Sequence, residues 1–96
     1  MCIYTVAGVS YYQEDVLDVE RGDVMVIKKE QSEHDEDGYA LGIYSKYNKK
    51  VGYIKKELKE EVLGKFYKDI KDISCTCSKV KESYSGRGMT GLLISV

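Results

Sequence analysis

Lys55 and Lys56 stand side by side at the head of a run in which Leu58, Val62 and Phe66 recur every four residues between lysines and glutamates. That period predicts an amphipathic helix from about Lys55 to Phe66 with its apolar triplet turned to a core. Lysines at a helix start oppose its dipole, at a cost of about 0.3–1 kcal/mol each. Together with the free N–H groups of the first turn, two ammonium groups make a phosphate site; without a ligand they are solvated surface. A second pair, Tyr11-Tyr12, lies just past the first predicted strand among Ser10, Gln13, Glu14 and Asp15. Neighbours on a strand end point to opposite faces, so one ring is expected in the core and the other free to stack on a base.

Other chemistry-bearing patterns fail on context. Gly86-Arg87-Gly88-Met89-Thr90-Gly91 matches the dinucleotide-binding pattern letter for letter. That pattern needs a helix after it and an acid about twenty residues on, and only Leu92 to Val96 follow. Glu33, Asp35, Asp37 and Gly38 imitate the first half of a calcium loop, but Tyr44 stands where the bidentate glutamate belongs. Cys2, His34, Cys75 and Cys77 lack the paired spacing of a zinc site, so no metal is expected and the thiols read as reduced and mostly buried. His34 has no nucleophile pattern beside it, and no GxxxxGK[ST] loop is present, which removes ATP hydrolysis. No catalytic residue and no cofactor is expected.

The elements that must position these residues are mostly strands. Residues 2–9 are rich in β-branched and aromatic side chains. Val24-Met25-Val26-Ile27 is a continuous apolar run that reads as a strand buried on both faces. An acidic loop from Glu30 to Gly38 leads to Tyr39–Tyr44, where Tyr39, Leu41 and Ile43 alternate with small residues. The turn Ser45 to Lys50 and the short strand Val51–Ile54 complete a hairpin. After the predicted helix, Ile73, Cys75 and Cys77 alternate with Ser74, Thr76 and Ser78 as a half-buried strand. Ser83 to Gly91 reads as a glycine-rich loop and Leu92 to Val96 as a closing strand. Short strands with one or two helices, at 96 residues, predict one mainly β (α+β) domain over residues 1–96. The expected architecture is a small antiparallel β-barrel of about six strands.

Fifteen basic residues against sixteen acidic ones leave a net charge of −1. A general nucleic-acid coat is strongly basic, so any nucleic-acid site here must be local. No run approaches the ~20 apolar residues of a membrane span, and the first residues lack a signal peptide's basic lead. With three cysteines, a soluble, reduced, cytoplasmic protein is expected.

Three segments in this order resemble the HIRAN family: Gly8-Val9-Ser10-Tyr11-Tyr12, Asp37-Gly38-Tyr39-Ala40-Leu41-Gly42-Ile43, and Val51-Gly52-Tyr53-Ile54-Lys55-Lys56-Glu57-Leu58. The resemblance covers roughly residues 2 to 80. That module precedes the motor of certain fork-remodelling ATPases and also occurs as a short separate protein in bacteria and phages, which implies a DNA-repair setting. It implies an OB-like barrel and capture of single-stranded DNA at a free 3′ end. Carried over, Tyr11 and Tyr12 would stack on or flank the terminal bases, and Asp37 would accept a hydrogen bond from the 3′-hydroxyl. Tyr53 and Lys56 would hold the last phosphate, where the pair Lys55-Lys56 already offers an anion site. Ser10 stands where the DNA-end binders carry an arginine. The acidic loop is one residue longer than the family pattern, which makes Asp35 the alternative to Asp37. Glu33, Asp35 and Glu36 would repel a phosphate backbone.

The expectation is therefore a non-enzymatic module that binds single-stranded DNA weakly, through one local face, with no membrane contact. The alternative is a protein-interaction module whose near-neutral surface docks a protein partner. A lysine-lined groove near Tyr11 and Tyr53 favours the first, and an apolar patch without a basic rim favours the second.

Overall fold

A computed structural model describes residues 2–33, 36, 38–64, 72–84 and 89–96. Six strands form one antiparallel sheet: β1 (Ile3–Thr5), β2 (Val24–Gln31), β3 (Tyr39–Tyr44), β4 (Lys50–Tyr53), β5 (Asp72–Tyr84) and β6 (Met89–Ser95), in the spatial order β1-β6-β5-β2-β3-β4. Two short helices, α1 (Gln13–Val16) and α2 (Lys59–Leu63), each follow a 3-10 turn, at Val9–Tyr11 and Lys56–Leu58. The core lies on the inner face of the curled sheet. Met25 and Ile27 of β2, Leu41 and Ile43 of β3, Val51 of β4 and Ile94 of β6 are fully buried there, with Val16 and Val62 packed in from the helices.

The sheet does not close into the expected barrel. Its edge strands β1 and β4 do not pair; the segment just past β1 touches β4 at an isolated bridge between Ala7 and Tyr53. The chain cannot continue along β4, because Gly8 adopts φ +74° and turns the backbone into the 3-10 helix at Val9. The first predicted strand, residues 2–9, contracts to Ile3–Thr5, because its pairing with β6 ends at Thr5 and Ala7 bridges to Tyr53 instead. The hairpin of β3 and β4 and the alternation of buried Cys75 and Cys77 with exposed Ser74 and Thr76 agree with the sequence pattern.

Other boundaries move. Val24–Ile27 is not buried on both faces: Met25 and Ile27 are buried on the inner face, while Val24 is exposed and Val26 only half-buried on the outer one. Glu30 and Gln31 belong to β2 rather than to the acidic loop, held by the pairing of Gln31 with Tyr39. The glycine-rich loop is narrower than expected, because strand pairing runs out to Tyr84 and Met89; Gly86, Arg87 and Gly88 lie outside the described residues. The predicted helix from Lys55 opens instead as the 3-10 turn before α2, with Val62 buried and Leu58 half-buried; Phe66 lies outside the described residues. Among the described residues no helix is long and apolar enough to cross a membrane.

Candidate nucleic-acid interface

The bridge between the sheet edges builds the site. Ala7 and Tyr53 exchange both backbone hydrogen bonds, each at 2.8 Å. This approach requires glycine at position 52, where a Cβ would collide with the Ala7 carbonyl oxygen and a Val6 methyl. Gly8 is needed for a second reason besides its positive φ: a Cβ there would lie 3.1 Å from the Tyr53 ring. The two glycines let the chain just past β1 lie against β4 and then turn it so that Tyr12 meets Tyr53.

Gln13 clamps that turn in place. Its side-chain amide donates to the carbonyls of Val9 (2.9 Å) and Thr90 (2.8 Å), and its oxygen accepts from the Thr90 N–H (2.7 Å). Tyr12 is half-buried, edge-on to Tyr53 with ring centroids 6.0 Å apart, and the two hydroxyls are 2.7 Å from each other. Burial first, and then the bond to Tyr53, push the Tyr12 hydroxyl up to about 12. Tyr11 points the other way and is 84% exposed. The expected division of the pair holds, but in a 3-10 turn rather than at a strand end.

Two adjoining clefts open beside Tyr53. One, of about 320 Å³, is lined by Ala7, Tyr53, Ile54, Lys55, Lys56 and Lys59, among others. The second, of about 430 Å³, shares Ser32, Ala40 and Tyr53 and adds Glu30, Glu33 and Lys50. Lys55 and Lys56 are exposed. They do not crown an α-helical N-terminus, since a 3-10 turn intervenes and α2 has five residues, with Glu60 and Glu61 in its first turn. What they offer an anion is their ammonium charge.

Lys50 and Lys59 were not singled out by spacing. Lys59 is only 3% exposed; its ammonium donates to the Tyr39 carbonyl at 2.7 Å and stands 4.3 Å from the Tyr39 ring centroid. Its place three residues before Val62, on the same helix face, was the available signal. Lys50 lies 4.2 Å from the Tyr53 ring centroid and 2.8 Å from the Glu30 carboxylate. Partial burial works to lower its pKa, but the Glu30 carboxylate and Tyr53 outweigh this and hold it above the usual lysine range. Glu30 also accepts a hydrogen bond from Tyr44 (2.9 Å).

The structure thus brings Tyr11, Tyr12, Tyr53, Lys55 and Lys56 around one edge of the sheet. Asp37 and its alternative Asp35 lie outside the described residues, as does His34. Cys75 and Cys77 are buried free thiols on β5, away from this edge, and burial pushes Cys75 up to about 12. Among the described residues no group of histidine, cysteine and acidic side chains could hold a metal ion.

The family model of the HIRAN domain matches residues 1–86. The chain belongs to the HIRAN family. HIRAN domains are generally DNA-binding modules, binding rather than catalytic. Neither a curated protein nor a solved structure shows significant similarity to the chain. In this HIRAN domain the glycines of two of the resembling segments, Gly8 and Gly52, are the residues that let the edges of the sheet meet beneath the tyrosines.

Proposed function

We propose that this HIRAN domain binds single-stranded DNA at the edge where Tyr11, Tyr53 and the lysine cleft adjoin. The observation that carries the reading is a cleft lined by Tyr53, Lys55 and Lys56, with no carboxylate among its described lining residues, next to the turn that exposes the Tyr11 ring and is tied to Tyr53 through Tyr12. A free aromatic face accepts any base, and neighbouring ammonium groups accept its phosphate. Tyr12 serves as the buttress: its hydroxyl is committed to Tyr53, so Tyr11 is the stacking ring. Asp37 remains the family-derived candidate for a terminal 3′-hydroxyl.

A titration of single-stranded oligonucleotides with free and with phosphate-blocked 3′ ends tests this. With Ser10 in place of an arginine and Glu33 lining the adjoining cleft, affinity in the micromolar range or weaker is expected at physiological salt. One stacked base is worth about 1–3 kcal/mol, so Tyr11→Ala should weaken binding about five- to a hundredfold. Lys56→Ala should also lower the slope of log affinity against log salt by about 0.7, one single-strand phosphate contact. A wild-type domain that binds no oligonucleotide even at low salt defeats the proposal, and equal affinity for both ends removes the 3′-end preference.

One observation favours protein docking as a second reading. The exposed side chains of Ile3 and Val24 border a mostly apolar groove over β5, and among its described lining residues the one cation is Arg21. This is the patch without a basic rim that a protein partner would cover.

A further inference from the structure

Strand register places a second set of tyrosines and lysines on the outer face of β2, β3 and β4. Lys28 pairs with Gly42 and Gly42 with Tyr53, while Val26 pairs with Tyr44 and Tyr44 with Lys50. Residues opposite one another share a face, so Lys28, Tyr44, Lys50 and Tyr53 stand on one side of the sheet. Their contacts are continuous: Lys50 lies 4.2 Å from the Tyr53 ring centroid and 6.0 Å from that of Tyr44, and Lys28 lies 4.7 Å from Tyr44 on its other flank. Lys28 then donates to the Asn48 side chain at 2.9 Å, which brings the line to the β3–β4 turn.

That turn ends in an aromatic ring. The Ser45 N–H donates to the Lys49 carbonyl (2.8 Å), the Asn48 N–H donates to the Ser45 carbonyl (2.9 Å), and Asn48 takes φ +61°. Tyr47, at the tip, is 58% exposed between Lys46 and Lys49. A tyrosine projected from a lysine-rich turn buries no core surface. Of the acids on this side, Glu30 is paired with Lys50 and Asp23 with Lys46 at 3.3 Å, while Asp72 faces Lys28 in register. Lys49 is exposed and adds a cation beside Tyr47.

We infer that the outer face from Tyr53 and Lys50 through Tyr44 and Lys28 to Tyr47 is a track for the continuation of the same single DNA strand beyond the lysine cleft. The inference rests on the proposed function and extends it from an end site to a path. Lysines interleaved with aromatic rings fit a strand that alternates phosphates and bases, whereas a protein partner would meet a face with few exposed apolar groups. Tyr47 supplies the outermost stacking ring and Lys49 the outermost phosphate contact. Lys50 links track to cleft.

The test compares a four-nucleotide with a twelve-nucleotide oligothymidine, lengths that bracket a short and a long path on an OB-like face. The proteins are the wild type, Tyr47→Ala/Lys49→Ala and Tyr11→Ala. Both substituted turn residues are exposed, so folding should survive, and a circular dichroism melt checks it. The longer oligonucleotide offers more binding registers to every protein alike, so the reading is the long-to-short affinity ratio relative to wild type. The track predicts that this ratio drops at least about fivefold in Tyr47→Ala/Lys49→Ala, whose short-oligonucleotide affinity stays unchanged, while Tyr11→Ala weakens both lengths together. An unchanged ratio in the turn variant overturns the track and leaves the end site standing. Failure of the wild type to bind either length overturns the end site and the track with it.

Discussion

The hydroxyls of Tyr12 and Tyr53 lie 2.7 Å apart across a sequence separation of 41 residues, at the point where the two edges of the sheet meet. The bond ties the turn that carries Tyr11 to the strand that borders both clefts. Because either phenol can donate, both substitutions remove the same interaction. Tyr12→Phe and Tyr53→Phe should each cost about 0.5–1.5 kcal/mol in urea unfolding, and the double variant should cost clearly less than the sum. Additive losses would mean that the hydroxyls act separately.

Burial of protonated groups makes the fold sensitive to alkali. Cys75 is raised from 9.0 to about 12, and Tyr4 and Tyr12 from 10.0 to about 12, in each case chiefly by burial. The native state therefore holds these protons more tightly than the unfolded chain does. Their contribution is whole below about pH 9 and is lost as pH rises through 12. The urea midpoint should fall steadily over that interval, and Cys75→Ala should flatten the first part of the fall. At neutral pH, Cys75 should resist alkylation until denaturant is added, a result readable by mass spectrometry. Rapid labelling of Cys75 in the native protein would contradict the burial.

Much of this arrangement was legible locally, and the rest depends on contacts that no local period records. The alternation at Cys75 and Cys77 reports burial directly, because it repeats at the period of its own strand, whereas the spacing of Leu58 and Val62 marks the inward side of a segment that starts as a 3-10 turn. The run Val24–Ile27 does not reveal whether one face or two are covered, since a continuous apolar stretch satisfies both cases. Lys59 reads as a solvated spacer until the Tyr39 carbonyl appears 2.7 Å from its ammonium. Likewise, Lys50 and Glu30 are twenty positions apart and meet only through the register of β2, β3 and β4. The strands expected in a barrel are present, but the sheet stays open at Gly8, where one positive φ diverts the chain.

Gly52 offers a direct test of how the edges are joined. Gly52→Ala drives a methyl into the Ala7 carbonyl oxygen and the Val6 side chain. The first of these is backbone and cannot rotate away. The bridge must open or the strand must shift, and overpacking of this kind costs about 1–3 kcal/mol. The Ala7 and Tyr53 amide protons, each bonded across the bridge, should then exchange faster with solvent while amides in β5 and β6 keep their relative protection. Uniform loss of protection, or none, would show that the bridge is not the local weak point.

The ion pair of Lys50 with Glu30 separates a binding role from a structural one by the sign of two substitutions. Glu30 lies beside the proposed DNA path and neutralises the lysine that joins cleft to track. Both side chains are partly buried, so breaking the pair from either end should lower stability by about 1 kcal/mol. Stability alone therefore cannot assign a role. DNA affinity can. Glu30→Gln leaves Lys50 a cation at neutral pH, removes a carboxylate that repels phosphate, and frees the ammonium for a contact of its own. Binding should tighten and the salt slope should steepen by about 0.7. Lys50→Gln removes the cation and leaves Glu30 unneutralised, so binding should weaken and the slope should flatten. Opposite changes from the two halves of one ion pair are what competition between Glu30 and a phosphate for Lys50 requires. Parallel losses would mean that the pair only supports the sheet.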